Sequence, residues 1–377
     1  MKKRVLVWET LSTVSGGQKM TLNIMDMLSD HFEFFCLIPN EGRLSEELKN
    51  RGIKYALMGN QSLPAGVKGK SVILQYGIMS LKNICKSINE IRKFKPDVLY
   101  APGPAALPWS AVCGFLFHKP VIWHLHHIFL DGPTKKLINT CGEWNAVKKI
   151  VAVSKCVGNQ IENEKANAKI EILYNPVDVC KYENGNFENI KEEFEWISKN
   201  KKTLVIGHIG LIQKTKKQSF VLDIINKLSI AGGDVIGLFP GETREEAYLK
   251  YLKEKAKKLA IDNKVIFLGR RNDIPDLLKI IDILIIPSFE GFPLAGLEAI
   301  SAKVPVVACD VAGAKEFIEV THGGMTYAED DVEDAIRAIK EIINDKENVT
   351  ESGYQFALKS SYKCYKENIE KVFDYIQ

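Results

Sequence analysis

The sequence predicts an α/β protein built from two doubly wound lobes, and three observations carry that reading. The chain has 377 residues, well over twice the ~150 residues of a common domain, so two cores are expected. Short β-branched runs alternate with longer helix-like segments from end to end, as in parallel βαβ units. The alternation pauses once, at Asn175-Pro176-Val177-Asp178 and the polar stretch 181–200, and then restarts at Thr203.

In the first half, residues 4–8 read as the opening strand, because Val5 to Trp8 is continuously apolar before Glu9. Further strands are predicted at 34–38, 98–101, 121–125 and 150–153, with helices around 17–28, 44–51, 80–94 and 155–163 between them. The interdomain linker is placed at this pause, 175–178 and the polar stretch 181–200. The second half repeats the scheme, with strands at 203–209, 235–239, 265–268, 281–286 and 304–308 and helices at about 243–259, 293–301 and 331–343. Residues 360–376 form an amphipathic helix with Tyr365, Ile369, Val372 and Phe373 on one face, which needs a surface to cover. The expected division is 1–180, 181–357 and a closing helix 358–377.

Composition excludes several classes. Apolar residues make up 46% and charged residues 26%, the balance of an ordinary globular protein rather than a disordered or coiled-coil chain. The longest uncharged stretch, 99–117, holds Pro102, Pro104 and Pro108, so it reads as a strand end, a loop and a buried helix, not a membrane span. The apolar part of the N-terminus is too short for a secretory signal. Eight cysteines without a Cys-x-x-Cys pair suit reduced, packed thiols, and a cytoplasmic location is the expectation. Net charge is +4, but residues 1–178 hold 23 basic against 15 acidic residues, and residues 179–377 hold 28 against 32. An excess of +8 in the first half is too thin for nucleic acid; it suits an anionic acceptor or the anionic inner face of a membrane, touched peripherally through Lys and Arg and not through a buried segment.

Doubly wound lobes bind ligands beyond the carboxyl ends of their strands, and the densest chemistry lies there. After the strand at 281–286 comes Pro287-Ser288-Phe289-Glu290-Gly291-Phe292-Pro293, then a helix carrying Glu298. Glu298 can accept hydrogen bonds from a diol while the amides of Leu294 and Ala295 face a phosphate. Val121-Ile-Trp-His-Leu-His-His127 places His124 and His126 on one side of a strand end, where an acceptor is deprotonated or a sugar gripped. No carboxylate or thiol at ligand spacing accompanies those histidines, and no Asp-x-Asp pair occurs, so no metal site is expected. Gly16-Gly17 opens a helix, which lets backbone amides approach an anion.

Pro287-Ser288-x-Glu290-Gly291-Phe292, Glu298 eight residues after Glu290, Val304-Pro305-Val306-Val307-Ala308 and Gly313-x-x-Glu316 together resemble the nucleotide-sugar site of retaining glycosyltransferases of family 4. Gly16-Gly17, Val153-Ser154, Asn175-x-Val177-Asp178 and Phe267-x-Gly269 extend the resemblance along the chain. It implies the GT-B fold: two Rossmann-like domains facing a cleft, the first for the acceptor and the second for the donor, with the C-terminal helix crossing back to the first. It further implies that Glu298 binds the donor ribose, Glu290 and His126 contact the donor sugar, and Gly291, Phe292 and Leu294 supply backbone contacts. The segment Gly269-Arg270-Arg271 would lie against the nucleobase, with Gly16 and Gly17 near the diphosphate. The family places an Arg and a Lys five residues apart on the leaving diphosphate. Here the Lys position is Lys216 and the Arg position is Leu211, so either Lys214 or Lys217 would stand in or one charge of the leaving group would be stabilised otherwise. The expected activity is a metal-independent, cofactor-free transfer from a nucleoside diphosphate sugar, UDP-linked, to a glycan or lipid-linked glycan. Two rival readings are a GT-B-type nucleotide-sugar epimerase and a catalytically weak partner subunit that binds donor or polysaccharide.

Overall fold

A computed structural model of the protein describes residues 2–59, 70–129, 131–198 and 202–374. The chain divides into two compact units, Met1–Asn175 with Lys363–Gln377, and Pro176–Tyr362.

The first unit is a seven-stranded parallel sheet. Its strands are β1 (Lys3–Trp8), β2 (Phe32–Ile38), β3 (Lys54–Leu57), β4 (Val98–Ala101), β5 (Val121–Leu125), β6 (Val147–Ala152) and β7 (Ile170–Ile172), in the order β3-β2-β1-β4-β5-β6-β7. Leu6, Tyr100, Trp123 and Ile150 on the central strands are fully buried. A parallel sheet covered on both faces selects such continuous apolar runs. The C-terminal helix Tyr362–Asp374 belongs to this unit. Its buried residues are Tyr365, Ile369, Val372 and Phe373, and the Phe373 ring lies 5.5 Å from that of Phe32 and 5.3 Å from that of Tyr100. Burying each of these side chains stabilises the contact by about 1.5–3 kcal/mol. The Lys3–Asp374 ion pair and a His31–Glu370 contact line its edge.

The second unit holds β8 (Leu204–Gly207), β9 (Val235–Pro240), β10 (Val265–Gly269), β11 (Ile283–Ile286), β12 (Val306–Cys309) and β13 (Gly324–Tyr327), all parallel, in the order β10-β9-β8-β11-β12-β13. Val221, Ile225, Phe239, Leu252, Ile285, Val307 and Ile339 form its core between sheet and helices. In each sheet the strand order reverses beside the first strand, at β1/β4 and at β8/β11. Those two switch points, at the carboxyl ends of the strands, are where such sheets accept ligands.

Several expected elements differ. Residues 181–198 are not a linker: helices Val179–Glu183 and Lys191–Ser198 lie there, with Tyr182, Ile190, Phe194 and Ile197 buried in the second unit. Their three- and four-residue spacing was hidden among charges. Lys199 and Asn200 lie outside the described residues, as do Tyr375 and Ile376 of the closing helix. The division between units falls at Asn175/Pro176 and Tyr362/Lys363, a few residues from 180/181 and 357/358. Of the helix expected at 155–163 only Lys155–Gly158 forms, capped by Ser154, and a second short helix, Glu164–Asn167 capped by Asn163, follows it. The helix expected from 243 begins at Glu246, because Thr243 pairs with Ile212 instead. Pro293 is the N-cap of helix Leu294–Ser301, in extended conformation, and not its first residue.

Candidate active site

The loops beyond the carboxyl ends of the second sheet are stitched to one another. Ile212, after β8, pairs with Thr243, after β9, and the Gly241 amide donates to the Gly269 carbonyl at 2.7 Å. The Gly313 amide, after β12, donates to the Glu290 carbonyl at 3.0 Å. A Cβ at position 313 would lie 1.8 Å from the Gly291 carbonyl oxygen, and one at 241 would lie 1.8 Å from that of Gly210. Only glycine allows these approaches.

Lys216 and Glu290 meet at this switch point. Lys216 ends a 3-10 turn, Lys214–Lys216, in the loop after β8, and its Nζ lies 2.5 Å from Oε1 of Glu290 in the loop after β11. The Ser288 hydroxyl donates to the same oxygen at 2.5 Å, and both charged side chains are largely shielded from water. Just beyond, the first-turn amides of Leu294, Ala295 and Gly296 have no carbonyl partner within their own helix, which makes that end attractive to an anion. Gly291 and Phe292 form the loop leading into it, with the Phe292 ring buried 5.4 Å from that of Phe317. Glu298 is buried one turn inside the helix, and the Tyr182 hydroxyl donates to its Oε1 at 2.6 Å. Burial, and then the adjacent carboxylate, raise the Tyr182 pKa, so the phenol keeps its proton and remains the donor.

The remaining cations separate from this cluster. Lys217, in left-handed conformation, is held by Glu329 and Asp330 at 2.8 Å each, so its charge is balanced away from Glu290. Arg271 bonds Asp273 and Glu193, and its guanidinium lies 6.0 Å from the Phe194 ring centroid, so this side chain is committed to its neighbours. Arg270 is exposed, one residue after Gly269, whose φ is +63°. Leu211 is half-buried, and its carbonyl accepts from Gln218 at 2.8 Å, so its place in the loop is structural. Sequence reasoning missed Tyr182 and His208, and quoted Ser288 in the motif without giving it a role. His208 follows β8, bonds the Ile285 carbonyl at 3.0 Å through Nδ1, and is pushed down to about 4 by burial.

In the first unit, His124 and His126 do share a side, with ring centroids 4.1 Å apart. Tyr100 Oη lies 2.6 Å from His124 Nδ1, a buried contact that sets the ring's orientation. Burial pushes His124 down to about 3 and, with the neighbouring imidazoles, holds His126 well below the usual histidine range. A Cβ at Gly17 would lie 3.9 Å from the His126 ring, so this neutral imidazole stands over the first turn of helix Gly16–Leu28. That turn is anchored to the end of β1: Gln18 and Thr21 donate to the buried Glu9 carboxyl at 2.9 and 2.5 Å. Burial raises the Glu9 pKa.

The depressed histidines make stability depend on pH. In the unfolded chain each takes up a proton near pH 6.5, whereas in the folded state His124, His126 and His208 resist it. Stability is therefore full above about pH 6.5 and falls as pH drops toward 4, by up to about 1.4 kcal/mol per pH unit for each group. Urea unfolding at pH 7 and pH 5 should show the midpoint falling, with a shallower fall in His124→Gln. A midpoint that is unchanged between those pH values would contradict the neutral, buried assignment.

Two doubly wound parallel sheets, with an anion-accepting helix mouth and paired carboxylates at the carboxyl edge of the second, define the GT-B class of glycosyltransferases. Residues 14–181 match the family described as Glycosyltransferase Family 4, and residues 189–356 match Glycosyl transferases group 1. The chain belongs to glycosyltransferase family 4 and is a glycosyltransferase. It is 21% identical over 357 residues, 90% of this chain and 87% of the relative, to the UDP-Gal:alpha-D-GlcNAc-diphosphoundecaprenol alpha-1,3-galactosyltransferase of Escherichia coli. A Campylobacter jejuni N,N'-diacetylbacillosaminyl-diphospho-undecaprenol alpha-1,3-N-acetylgalactosaminyltransferase is 27% identical over 199 residues, 50% of this chain and 49% of that one. Among solved structures, Anabaena HepE in complex with UDP and glucose shares the fold, with a TM-score of 0.81 at 19% identity, covering 99% of both chains.

Proposed function

We propose that this glycosyltransferase moves a sugar from a UDP-sugar, with retention at the anomeric carbon, onto a lipid-linked glycan in the synthesis of a cell-surface polysaccharide. The observation that carries the reading is the meeting of Lys216, Glu290 and Ser288 at the β8/β11 switch point, with Glu298 one turn inside the adjoining helix. Lys216 faces the leaving diphosphate, the amides of Leu294 and Ala295 take its oxygens, Glu298 accepts from the ribose, and Glu290 accepts from the sugar hydroxyls. The fold shared with HepE, solved with UDP, supports the nucleotide. The Escherichia coli and Campylobacter jejuni relatives, which by name act on diphosphoundecaprenol-linked sugars, support the lipid-linked acceptor.

The acceptor oxygen bonds to the anomeric carbon on the face the diphosphate leaves, and its proton passes to the departing phosphate oxygen, giving UDP and the new glycoside. His126, being neutral, serves as a hydrogen-bond partner for a substrate hydroxyl rather than as a strong base. Gly16 and Gly17 offer the first-turn amides of their helix to the same substrate's charged groups. Of the two arginines read as nucleobase neighbours, Arg270 remains the candidate, because Arg271 is committed elsewhere. The basic excess of the first half supports an acceptor presented at an anionic membrane surface.

Incubating the protein with a panel of UDP-sugars and an undecaprenyl-diphosphate-linked acceptor, with mass spectrometry of products and NMR of the new anomeric centre, tests this reading. Transfer should persist in excess chelator, because Lys216 and backbone amides supply the positive charge. Loss of activity that manganese restores would overturn the metal-independent mechanism, and an inverted anomer would overturn retention.

A further inference from the structure

Among the described residues, the large apolar side chains that the first unit leaves exposed gather on one layer of helices. Helix Lys70–Phe94 packs beside Leu107–Phe117, which packs beside Pro133–Gly142. On the first of these, Leu74, Ile78 and Leu81 recur at helical spacing on one face, with Leu74 68% and Leu81 66% exposed. The opposite face of that helix is the packed one: Asn83, Ser87 and Ile91 are buried, and the Trp8 indole donates to Ser87. Helix Leu107–Phe117 carries no charged residue at all, and leaves Phe115 64% and Leu116 52% exposed at its end. Leu137 on the third helix is exposed too, as is Trp144, whose ring lies 6.0 Å from that of Phe115. Leu57 is the one other large apolar side chain exposed in this unit among the described residues.

The charge carried by these three helices is mostly basic, with the acidic Asp131 and Glu143 flanking the third. Lys82 and Lys136 are exposed on the first and third helices. The single acidic residue of all three helices, Glu90, sits near the far end of the first and is paired with Lys93 at 2.8 Å. Exposed apolar groups with a basic rim, an aromatic ring included, suit an anionic lipid surface, where the apolar groups enter the headgroup boundary and lysines meet phosphates. A second copy fits less well: an isologous contact would bring together two equally basic faces, whereas an anionic surface supplies the opposite charge. Among the described residues no helix is long and apolar enough to cross a membrane, so the contact would be a surface one.

We propose that the outer face of these three helices docks the first unit on an anionic bilayer by inserting Leu74, Ile78, Leu81, Phe115 and Leu116 among the headgroups. This adds an apolar anchor to the purely electrostatic contact that the charge count suggests. It stands apart from sugar transfer, and is tested without donor or acceptor.

The test is co-sedimentation of the full chain with phosphatidylglycerol or phosphatidylcholine vesicles. The wild type should pellet with phosphatidylglycerol and remain partly bound in half-molar salt, because insertion is not screened as charge is. Leu74→Ser/Ile78→Ser/Leu81→Ser and Phe115→Ser/Leu116→Ser should each lower the partition about tenfold with unchanged melting temperature, since the side chains face solvent. Lys82→Glu/Lys136→Glu should weaken binding at low salt, and serves as the readout if a serine variant fails to fold. Equal recovery of the wild type in the supernatant with both vesicles overturns the proposal, and so does serine-variant binding equal to wild type. Sedimentation velocity that shows a dimer dissolved by the serine variants, without vesicle binding, would assign the face to a second copy instead.

Discussion

Lys216→Ala is expected to lower kcat by about 10²- to 10³-fold, the scale of removing one preorganised charge aimed at a developing anion. On the proposed reading the leaving diphosphate gains negative charge as its bond to the sugar breaks, and the ammonium at Lys216 is the cation that the loop after β8 brings to the switch point. Lys217 cannot replace it while Glu329 and Asp330 hold it, and the family's arginine position is Leu211. Because Lys216 also balances Glu290 at 2.5 Å, its removal leaves a partly shielded carboxylate without its cation. Coupling should therefore appear in a double-mutant cycle: Lys216→Ala with Glu290→Gln loses less than the product of the two single losses. Initial rates with saturating donor check both statements. A Lys216→Ala enzyme within about threefold of wild type would take this side chain out of the transition state.

Glu298→Ala is expected to weaken binding of bare UDP by about 10- to 100-fold, while Glu290→Ala leaves that affinity nearly unchanged and lowers turnover. A hydrogen bond to a shielded carboxylate contributes about 1.5–3 kcal/mol, and Glu298 is buried in the helix that follows β11. The Tyr182 hydroxyl at 2.6 Å positions that carboxylate, so Tyr182→Phe should reduce UDP affinity by a smaller factor without touching the nucleotide itself. Titration calorimetry with UDP measures all three variants. Wild-type affinity in Glu298→Ala would sink the ribose assignment.

The interior strands of both sheets were readable because burial on two faces writes them as unbroken apolar runs: Val5 to Trp8 and Ile283 to Ile286 are examples. The strands not anticipated, β3, β7 and β13, are all at sheet edges, where one side lacks a neighbour and the apolar run shortens or breaks. The same contrast separates the two halves of the site. That Glu290 lies in a loop and Glu298 in the helix after it could be read from the sequence, because a strand-loop-helix junction is a local feature of the chain. Tyr182 could not, since it lies 116 residues from its carboxylate and in a segment whose charges resembled a linker.

Periodicity, turn residues and the distance of a side chain from the end of its own strand are properties of a few consecutive residues, so two parallel α/β units and the helix mouth at Leu294 follow from the chain read in order, whereas the strand orders that set the switch points do not. Which charges remain available does not, because partners come from remote segments. Lys214, Lys216 and Lys217 share one short loop, and their partners cannot be read from it: folding sets Lys216 against Glu290, ties Lys217 to Glu329 and Asp330, and removes Arg271 to Asp273 and Glu193. The histidines differ in the same way: burial against Tyr100 and one another, not their composition, makes His124 and His126 neutral. Electrostatic energy depends on distance through space and on exclusion of water, and both are set only when each unit has folded.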